Sequence, residues 1–280
     1  MKTICQVCMH HCQLEPGQYG ICRARKNENG VIRCENYGQI TSLALDSIEK
    51  KPLHMFYPGS FILSAGSYGC NLRCPFCQNH EISMISQREA DCVYLSPESL
   101  VRKAVSCQKY GNIGVAFTYN EPLIGWEYVR DTAKLLKKAD MKTVLVTNGS
   151  ASLEILDELL PLTDAMNIDL KGFNRQYYQM LGGDLETVKE FILHAAAECH
   201  IELTTLIIPG ENDDLAQMEE EARWIASLKT KNASGQIPLH ITRFFPQYHM
   251  MDKAPTDIAQ IRRLAKTAAK YLKNVFIGNC

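Results

Sequence analysis

The sequence predicts an α/β fold: a partial (β/α)6 TIM-like barrel of parallel strands, preceded by a small cysteine-rich N-terminal segment. From residue 61 onward, short apolar segments alternate with helical segments, a pattern typical of a parallel sheet covered by helices. Six such units, followed by a short seventh strand, are fewer than the eight of a closed barrel. Eight of the twelve cysteines lie within the first 77 residues. We therefore predict a metal-binding segment over 1–60 and a barrel domain over 61–280.

Each predicted element has a local signal. Ser96 is a capping residue, and Pro97 follows it at the first position of the helix 97–110. Pro161 stops the helix 152–160, and Asp184 is placed to cap the helix 185–199. Pro209 ends the fifth strand. The predicted strands are 61–65, 113–118, 142–146, 165–170, 201–208, 239–244 and 275–277. The predicted helices are 97–110, 125–139, 152–160, 185–199, 215–228 and 258–272.

Composition and charge exclude several classes of protein. The net charge of −1 gives no indication of a nucleic-acid or membrane surface. No apolar run approaches the ~20 residues that cross a bilayer, and the N-terminus lacks the apolar core of a signal peptide. We therefore expect a cytoplasmic protein without nucleic-acid or membrane partners. Twelve cysteines in such a protein indicate metal or redox use rather than disulfides.

Three cysteines carry the most specific chemical signal. Cys70, Cys74 and Cys77 have the spacing C-x3-C-x2-C, and the next cysteine is Cys92. A structural zinc site needs four ligands, whereas a four-iron cluster on three thiolates keeps one iron open for a substrate. The alternative interpretation is a zinc loop with His80 as the fourth ligand.

Polar residues follow several of the predicted strands, at the edge where active sites of such folds lie. Glu121 stands in a proline-fixed turn, and its carboxylate suits an ammonium group. Asp169 and Lys171 share one face of a strand end, where they either pair with each other or hold a zwitterionic ligand. Each also has a plain structural interpretation, namely a helix-start carboxylate for Glu121 and a rim ion pair for the other two.

The run from Cys70 to Cys77, with an aromatic residue before the third cysteine, resembles the cluster motif of the radical S-adenosylmethionine (SAM) superfamily. Over nearly the whole chain, the sequence resembles the radical SAM enzymes of the AmmeMemoRadiSam system, relatives of the pyruvate formate-lyase activating enzymes. Further segments that carry this resemblance are 5–22, 43–46, 49–53, 69–81 and 167–172.

The resemblance implies a 4Fe-4S cluster on the three cysteines, SAM as cofactor or cosubstrate, and a one-electron donor such as flavodoxin or ferredoxin. It implies that Phe76 lies against the adenine of SAM. It places the other SAM-binding residues at Glu121, Thr147, Asn148, Asp169 and Lys171. Two departures from the family pattern stand beside these residues: Tyr119-Asn120 replaces a pair of glycines, and Val146 replaces an aspartate.

The N-terminal segment contains a second set of cysteines, with the spacing C-x2-C-x3-C-x9-C. Four thiolates make a complete ligand set, either for structural zinc or for an auxiliary iron–sulfur cluster. We predict a metal of unassigned identity there, with Cys34 as a spare. The four residues are Cys5, Cys8, Cys12 and Cys22.

Two functions of different classes follow. The first is a radical SAM oxidoreductase that makes a 5′-deoxyadenosyl radical and abstracts hydrogen from a glycine of a protein substrate, as an activase does, or from a small molecule. The second is a non-catalytic zinc-binding barrel that serves as an interaction platform. Fold and cofactor do not choose the substrate.

Overall fold

The computed structural model describes residues 1–232 and 234–280. The elements of the N-terminal part are short strands and one long edge strand. They are β1 (Thr3–Ile4), β2 (Gln13–Leu14), β3 (Arg25–Glu28), β4 (Val31–Cys34), β5 (Gln39–Ile40) and β6 (Ser42–Ser47). A 3-10 helix, Ile48–Lys50, follows.

The remainder alternates strands with helices, as predicted. Its strands are β7 (Phe61–Gly66), β8 (Val93–Tyr94), β9 (Asn112–Phe117), β10 (Lys142–Thr147), β11 (Ala165–Asp169), β12 (His200–Ile207), β13 (Leu239–Arg243) and β14 (Val275–Gly278). Its helices are α1 (His80–Ser83), α2 (Pro97–Ser106), α3 (Trp126–Lys138), α4 (Leu153–Leu159), α5 (Arg175–Met180), α6 (Leu185–Glu198), α7 (Leu215–Ser227) and α8 (Ile258–Ala268).

Among the described residues, eight strands form one sheet in the order β14-β13-β12-β11-β10-β9-β7-β6. The pairs from β7 to β14 are parallel, and β6 pairs antiparallel with β7. The predicted partial barrel of six strand–helix units is thereby confirmed. All seven predicted strands are present with shifts of one residue at most, and the main difference among the helices is an earlier end of α2 and α8.

Local capping explains where several helices begin. The side chain of Ser96 accepts from the backbone N–H of Ser99 at the start of α2, and that of Asp184 accepts from Thr187 at the start of α6. Both predicted caps are confirmed.

Several elements were not predicted from the sequence. They include strand β6, which joins the main sheet next to β7, and helix α5, which follows β11. The six residues of α5 are too few to show a clear helical period. The predicted division at residue 60 stays a prediction, and the pairing of β6 with β7 crosses it.

The segment 48–56 fills the inside of the partial barrel at the end where the parallel strands begin. Its apolar side chains Ile48, Leu53 and Phe56 pack against Ala116 and Ala165. These small side chains on the strands leave room for the segment inside the barrel. The upper end, where the parallel strands terminate, stays open as a cavity. Within the described part of the chain, none of the helices has the length and apolarity needed to cross a membrane.

Candidate functional site

A cavity of about 780 Å³ lies at the carboxyl ends of the parallel strands. It brings together the predicted cysteines and the predicted ligand residues, which come from four different strand ends. The predicted site residues that line it are Cys70, Phe76, Cys74, Cys77, Glu121, Thr147, Asn148, Asp169 and Lys171. Active sites of barrel enzymes form at this edge, because the loops that follow each strand meet there.

The three cysteines lie in the loop that follows β7. Cys74 is buried, while Cys70 and Cys77 are partly exposed. The backbone N–H of Leu72 donates to the Cys70 Sγ at 3.4 Å, and the Asn148 side chain donates to the same sulfur at 3.8 Å. Burial raises the pKa of all three thiols, and that of Cys74 reaches about 12. A bound metal would reverse this effect, because coordination deprotonates a thiol.

Neighbouring segments fix the shape of this loop. The backbone N–H of Arg73 donates to the Leu181 carbonyl at 2.9 Å, and that of His249 donates to the Pro75 carbonyl at 2.9 Å. Phe76 is buried against Tyr177 and other apolar side chains at the cavity wall. These hydrogen bonds and apolar contacts fix the conformation of the loop that carries the three cysteines.

The donor set fits a four-iron cluster better than a single zinc ion. Three thiols face one cavity, and each would bind a different iron, so they need not converge on one point. Among the residues that the structure describes, no group of three or more His, Cys, Asp or Glu side chains is arranged around a single ion. His80, the alternative fourth ligand, stacks on Tyr248 with ring centroids 4.5 Å apart and is not part of the cavity wall.

Glu121 links the loops that follow β9 and β10. Its Oε1 accepts from the Thr147 hydroxyl at 2.7 Å and from the Leu123 backbone N–H at 3.0 Å. Its Oε2 accepts from the backbone N–H of Asn148 at 2.7 Å. Burial raises the pKa of Glu121 to about 7, although these three hydrogen bonds oppose that shift. The carboxylate is thus largely occupied by the protein's own donors.

Asn148 continues this network toward the cysteine loop. Its side chain donates to the Asn71 Oδ1 at 2.9 Å, and Asn71 in turn donates to the Ser150 hydroxyl at 2.8 Å. Because Asn71 follows Cys70 directly, the loop after β10 and the cysteine loop are held together by side-chain amides.

Asp169 and Lys171 form the ion pair that was one of the two predicted outcomes. The Lys171 Nζ lies 2.7 Å from the Asp169 Oδ2, and both side chains line the cavity. Burial alone would lower the pKa of Lys171, but the Asp169 carboxylate outweighs it and raises that pKa. The pair presents one cation and one anion to the cavity.

A second polar group lines the cavity, and sequence reasoning assigned it no site role. Lys51 Nζ lies 2.9 Å from the Asp46 Oδ2 and 4.6 Å from the centre of the Tyr119 ring. The Tyr119 hydroxyl donates to the same Asp46 oxygen at 2.8 Å. The only sequence feature that pointed to this group was the run Glu-Lys-Lys-Pro at 49–52, and a run of residues does not show which side chains it contacts.

Two polar side chains of β13 have structural roles. His240 is buried and donates to the Glu202 Oε2 at 2.7 Å. Arg243 donates to the backbone carbonyl of Thr256 at 2.8 Å and lies over the Phe245 ring.

Comparison with known proteins decides the family. The sequence profile described as "Radical SAM superfamily" matches residues 65–223, which is more than half of the chain. This chain belongs to the radical SAM superfamily. The matched stretch contains the three cysteines and the polar strand ends that line the cavity.

Relatives place this radical SAM chain beside activating enzymes. It is 36% identical to the uncharacterized protein MJ0808 of Methanocaldococcus jannaschii, over 99% of this chain and 81% of that protein. It is 29% identical to the pyruvate formate-lyase 1-activating enzyme of Escherichia coli K12, over 52% of this chain and 61% of the relative.

A solved structure supports the fold of this radical SAM chain. A domain of a pyruvate-formate lyase-activating enzyme from Bacteroides vulgatus aligns with a TM-score of 0.50 and 22% identity. The alignment covers 59% of this chain and 99% of that domain. At this identity the likeness shows the fold, and the shared fold agrees with the partial barrel described above.

Proposed function

We propose that this protein is a radical SAM enzyme that cleaves SAM reductively at a 4Fe-4S cluster held by Cys70, Cys74 and Cys77. The observation that carries the proposal is that these three thiols open into one cavity together with the charged pair Asp169–Lys171. When bound, cluster and SAM would supply a 5′-deoxyadenosyl radical for abstraction of a hydrogen atom from the substrate.

The charged pair suits the amino-acid part of SAM. Asp169 offers an acceptor for an ammonium group, and Lys171 offers a donor for a carboxylate. Because the two already neutralise each other, a zwitterion that inserts between them exchanges one balanced pair of charges for two. We assign the pair to binding and orienting the ligand.

Glu121, Thr147 and Asn148 position the cavity wall. The Glu121 carboxylate holds the Thr147 hydroxyl and the Asn148 backbone, so the loops after β9 and β10 keep a fixed spacing. We assign these residues to shaping the SAM site, and Phe76 to the apolar surface against which the adenine packs.

The substrate assignment rests on the relatives. Activating enzymes among them favour a glycine of a protein substrate, and a small molecule remains the second substrate class. A one-electron donor such as flavodoxin or ferredoxin would supply the reducing electron. The zinc platform has no observation in its favour beyond the cysteines themselves.

The test is formation of 5′-deoxyadenosine by anaerobically reconstituted, reduced protein given SAM. We expect product from the wild type and none from Cys74→Ala, because that variant lacks one cluster ligand. Cys107→Ala, at a partly exposed cysteine outside both sets, is the matched control and should match the wild type.

Iron analysis makes the outcome decisive. The proposal would be contradicted if protein that carries its iron formed no 5′-deoxyadenosine, whether or not a protein substrate with a target glycine is present. Uptake of zinc in place of iron at Cys70, Cys74 and Cys77 would support the platform instead.

A further inference from the structure

The polar group of Asp46, Lys50, Lys51 and Tyr119 has no part in the proposed SAM site, although all four residues line the cavity. Lys51 is only 4% exposed, so its ammonium group is largely removed from bulk water. A buried charge of this kind is costly unless its hydrogen-bonding capacity is used. The contacts of the group show how much of that capacity the protein itself uses.

Three donors share the Asp46 carboxylate. Lys50 Nζ lies 3.2 Å from Oδ1, Lys51 Nζ lies 2.9 Å from Oδ2, and the Tyr119 hydroxyl donates to Oδ2 at 2.8 Å. Within the described part of the chain, Asp46 is the one residue that accepts from Lys51 Nζ, and the Tyr119 ring adds a cation–π contact at 4.6 Å. An ammonium group has three N–H donors, so at least one donor of Lys51 is left for an acceptor in the cavity.

The group also carries one positive charge in excess. The single carboxylate of Asp46 faces two ammonium groups, those of Lys50 and Lys51. Glu49 lines the same cavity, but its Oε1 accepts from the backbone N–H of Gly59 at 2.6 Å, and neither lysine forms an ion pair with it among the described residues. A spare donor on an excess cation favours an acceptor with negative charge.

This group lies inside the partial barrel and not at its rim. In the β6–β7 pair, Asp46 lies opposite Ile62, four residues before Gly66 at the end of β7. At a rise of about 3.3 Å per residue, the backbone of Asp46 is roughly 13 Å below that end. A small molecule enters such a space whole, whereas a protein substrate would have to extend a segment of its chain into it.

Tyr119 connects the group to the cysteine loop. Its φ of 72° lies in the left-handed region, and a Cβ on Gly66 would stand 2.8 Å from its ring, so Gly66 leaves the space that the ring occupies. The Asn79 side chain donates to the Tyr119 carbonyl at 2.8 Å. Because Asn79 is two residues after Cys77, a ligand on Lys51 would lie in the same cavity as the proposed cluster and close to its loop.

The charged pair assigned to SAM belongs to another part of the sheet. Asp169 ends β11, and β7, β9 and β10 lie between that strand and β6. Four steps of about 4.8 Å separate β6 from β11 along the sheet. The cavity therefore offers two charged groups that two ligands, or two parts of a reacting pair, occupy at the same time.

We propose that Lys51, positioned by Asp46 and Tyr119, binds an anionic oxygen group of a small-molecule substrate, either a carboxylate or a phosphate. The anion accepts the spare N–H of Lys51 and balances the excess charge of the group. The substrate role rests on the proposed SAM function, whereas the anion site itself does not. Of the two substrate classes, this site selects the small molecule.

Titration of the full-length, reconstituted protein with [13C]acetate and with inorganic phosphate tests the site, with NMR line widths as the measurement. We expect saturable binding of at least one of them with a Kd of about 1–10 mM. Acetate binding would indicate a carboxylate on the substrate, and phosphate binding a phosphate ester. Lys51→Met should weaken binding by about tenfold or more, and Lys50→Met, at a side chain that is 69% exposed, by about two- to fivefold.

Lys103→Met, on the exposed face of α2, is the matched control and should bind the anion as the wild type does. If Lys51→Met does not fold, Asp46→Asn/Lys51→Met replaces it, since this double variant leaves no buried carboxylate without its lysine. Lys171→Met should keep the anion, because that lysine belongs to the other charged group.

The proposal would be overturned by absence of saturable binding, by equal affinities of Lys51→Met and wild type, or by loss of binding in Lys171→Met alone. Displacement of the anion by SAM would also overturn it, since the group would then belong to the SAM site. So would a protein substrate that stimulates 5′-deoxyadenosine formation equally in Lys51→Met and wild type. Failure of SAM cleavage leaves the anion affinities unchanged, so the two proposals fail separately.

Discussion

At the scale of single residues, the shape of the cavity wall depends on the Glu121 carboxylate, which accepts three hydrogen bonds from the protein. Glu121 accepts from Leu123, Thr147 and Asn148, and each partner is a donor. Such a residue cannot be replaced by its amide without cost, because the amide NH2 would face another donor. The sequence indicated that Glu121 matters but not which atoms it contacts.

We expect Glu121→Gln to lower the free energy of unfolding by about 1–3 kcal/mol, because at least one buried donor loses its acceptor. Urea unfolding measures the loss, and SAM binding by calorimetry should weaken in parallel as the wall loosens. Glu158→Gln, at an exposed position of α4, is the control and should leave both unchanged. Equal unfolding midpoints for the Glu121 variant and the wild type would contradict the positioning role.

At the scale of elements, the buried face of α7 carries a glutamate, Glu221. Glu221 is 2% exposed, and its Oε1 accepts from the Thr205 hydroxyl of β12 at 2.5 Å. Burial raises the pKa of Glu221 to about 8, and the hydrogen bond from Thr205 opposes this only in part. The helix therefore packs on the sheet with this carboxyl group protonated at neutral pH.

The pH dependence of stability follows from this shift. The folded pKa of Glu221 is above the unfolded value, so the folded state binds the proton more tightly, and stability falls as pH rises from about 4.5 to about 8. We expect Glu221→Gln to remove this dependence and to be more stable than the wild type at pH 8 by roughly 4 kcal/mol, the value of a shift of this size. Thermal unfolding across that range measures it, with the exposed Glu220→Gln of the same helix as control. Parallel pH profiles for wild type and Glu221→Gln would refute the buried neutral carboxyl.

At the scale of the whole molecule, one buried carboxylate joins the segment inside the barrel to the sheet. Glu202 of β12 accepts from the backbone N–H groups of His54 and Met55 at 3.0 and 2.8 Å. It also accepts from the rings of His200 and His240. Burial would raise the pKa of Glu202, but the hydrogen bonds from the two histidines and Met55 outweigh it and lower that pKa to about 2. His54 and His240 also line the cavity, so this network forms part of its floor.

We expect Glu202→Gln to cost about 3–5 kcal/mol at pH 7, because it breaks a buried charged network. The folded pKa is depressed, so the stabilisation is present above about pH 4.5 and is lost as pH falls toward 2. The stability difference between wild type and variant should therefore shrink in acid, as chemical unfolding at several pH values would show. Glu190→Gln, exposed on α6, is the control. A difference that stays constant from pH 7 to pH 3 would count against a depressed pKa of Glu202.

Local signals were sufficient for the fold class and for most elements. The seven predicted strands are mostly apolar runs bounded by turn residues, and caps such as Ser96 and Asp184 act through hydrogen bonds within a few residues. Such signals involve neighbours along the chain, so they are readable without coordinates. Strand ends of parallel units meet at one edge, which is why the cysteines and the polar residues could be expected in one cavity.

By itself, the sequence determined the parallel barrel, the cysteine triad and the family to which this chain belongs. The tertiary structure decided the partners: Asp46 with Lys51 and Tyr119, Glu202 with the segment at His54, and the contact of Gly69 with Cys22. These contacts join residues far apart in the chain, so they depend on how the elements pack, and no local pattern of residues encodes them.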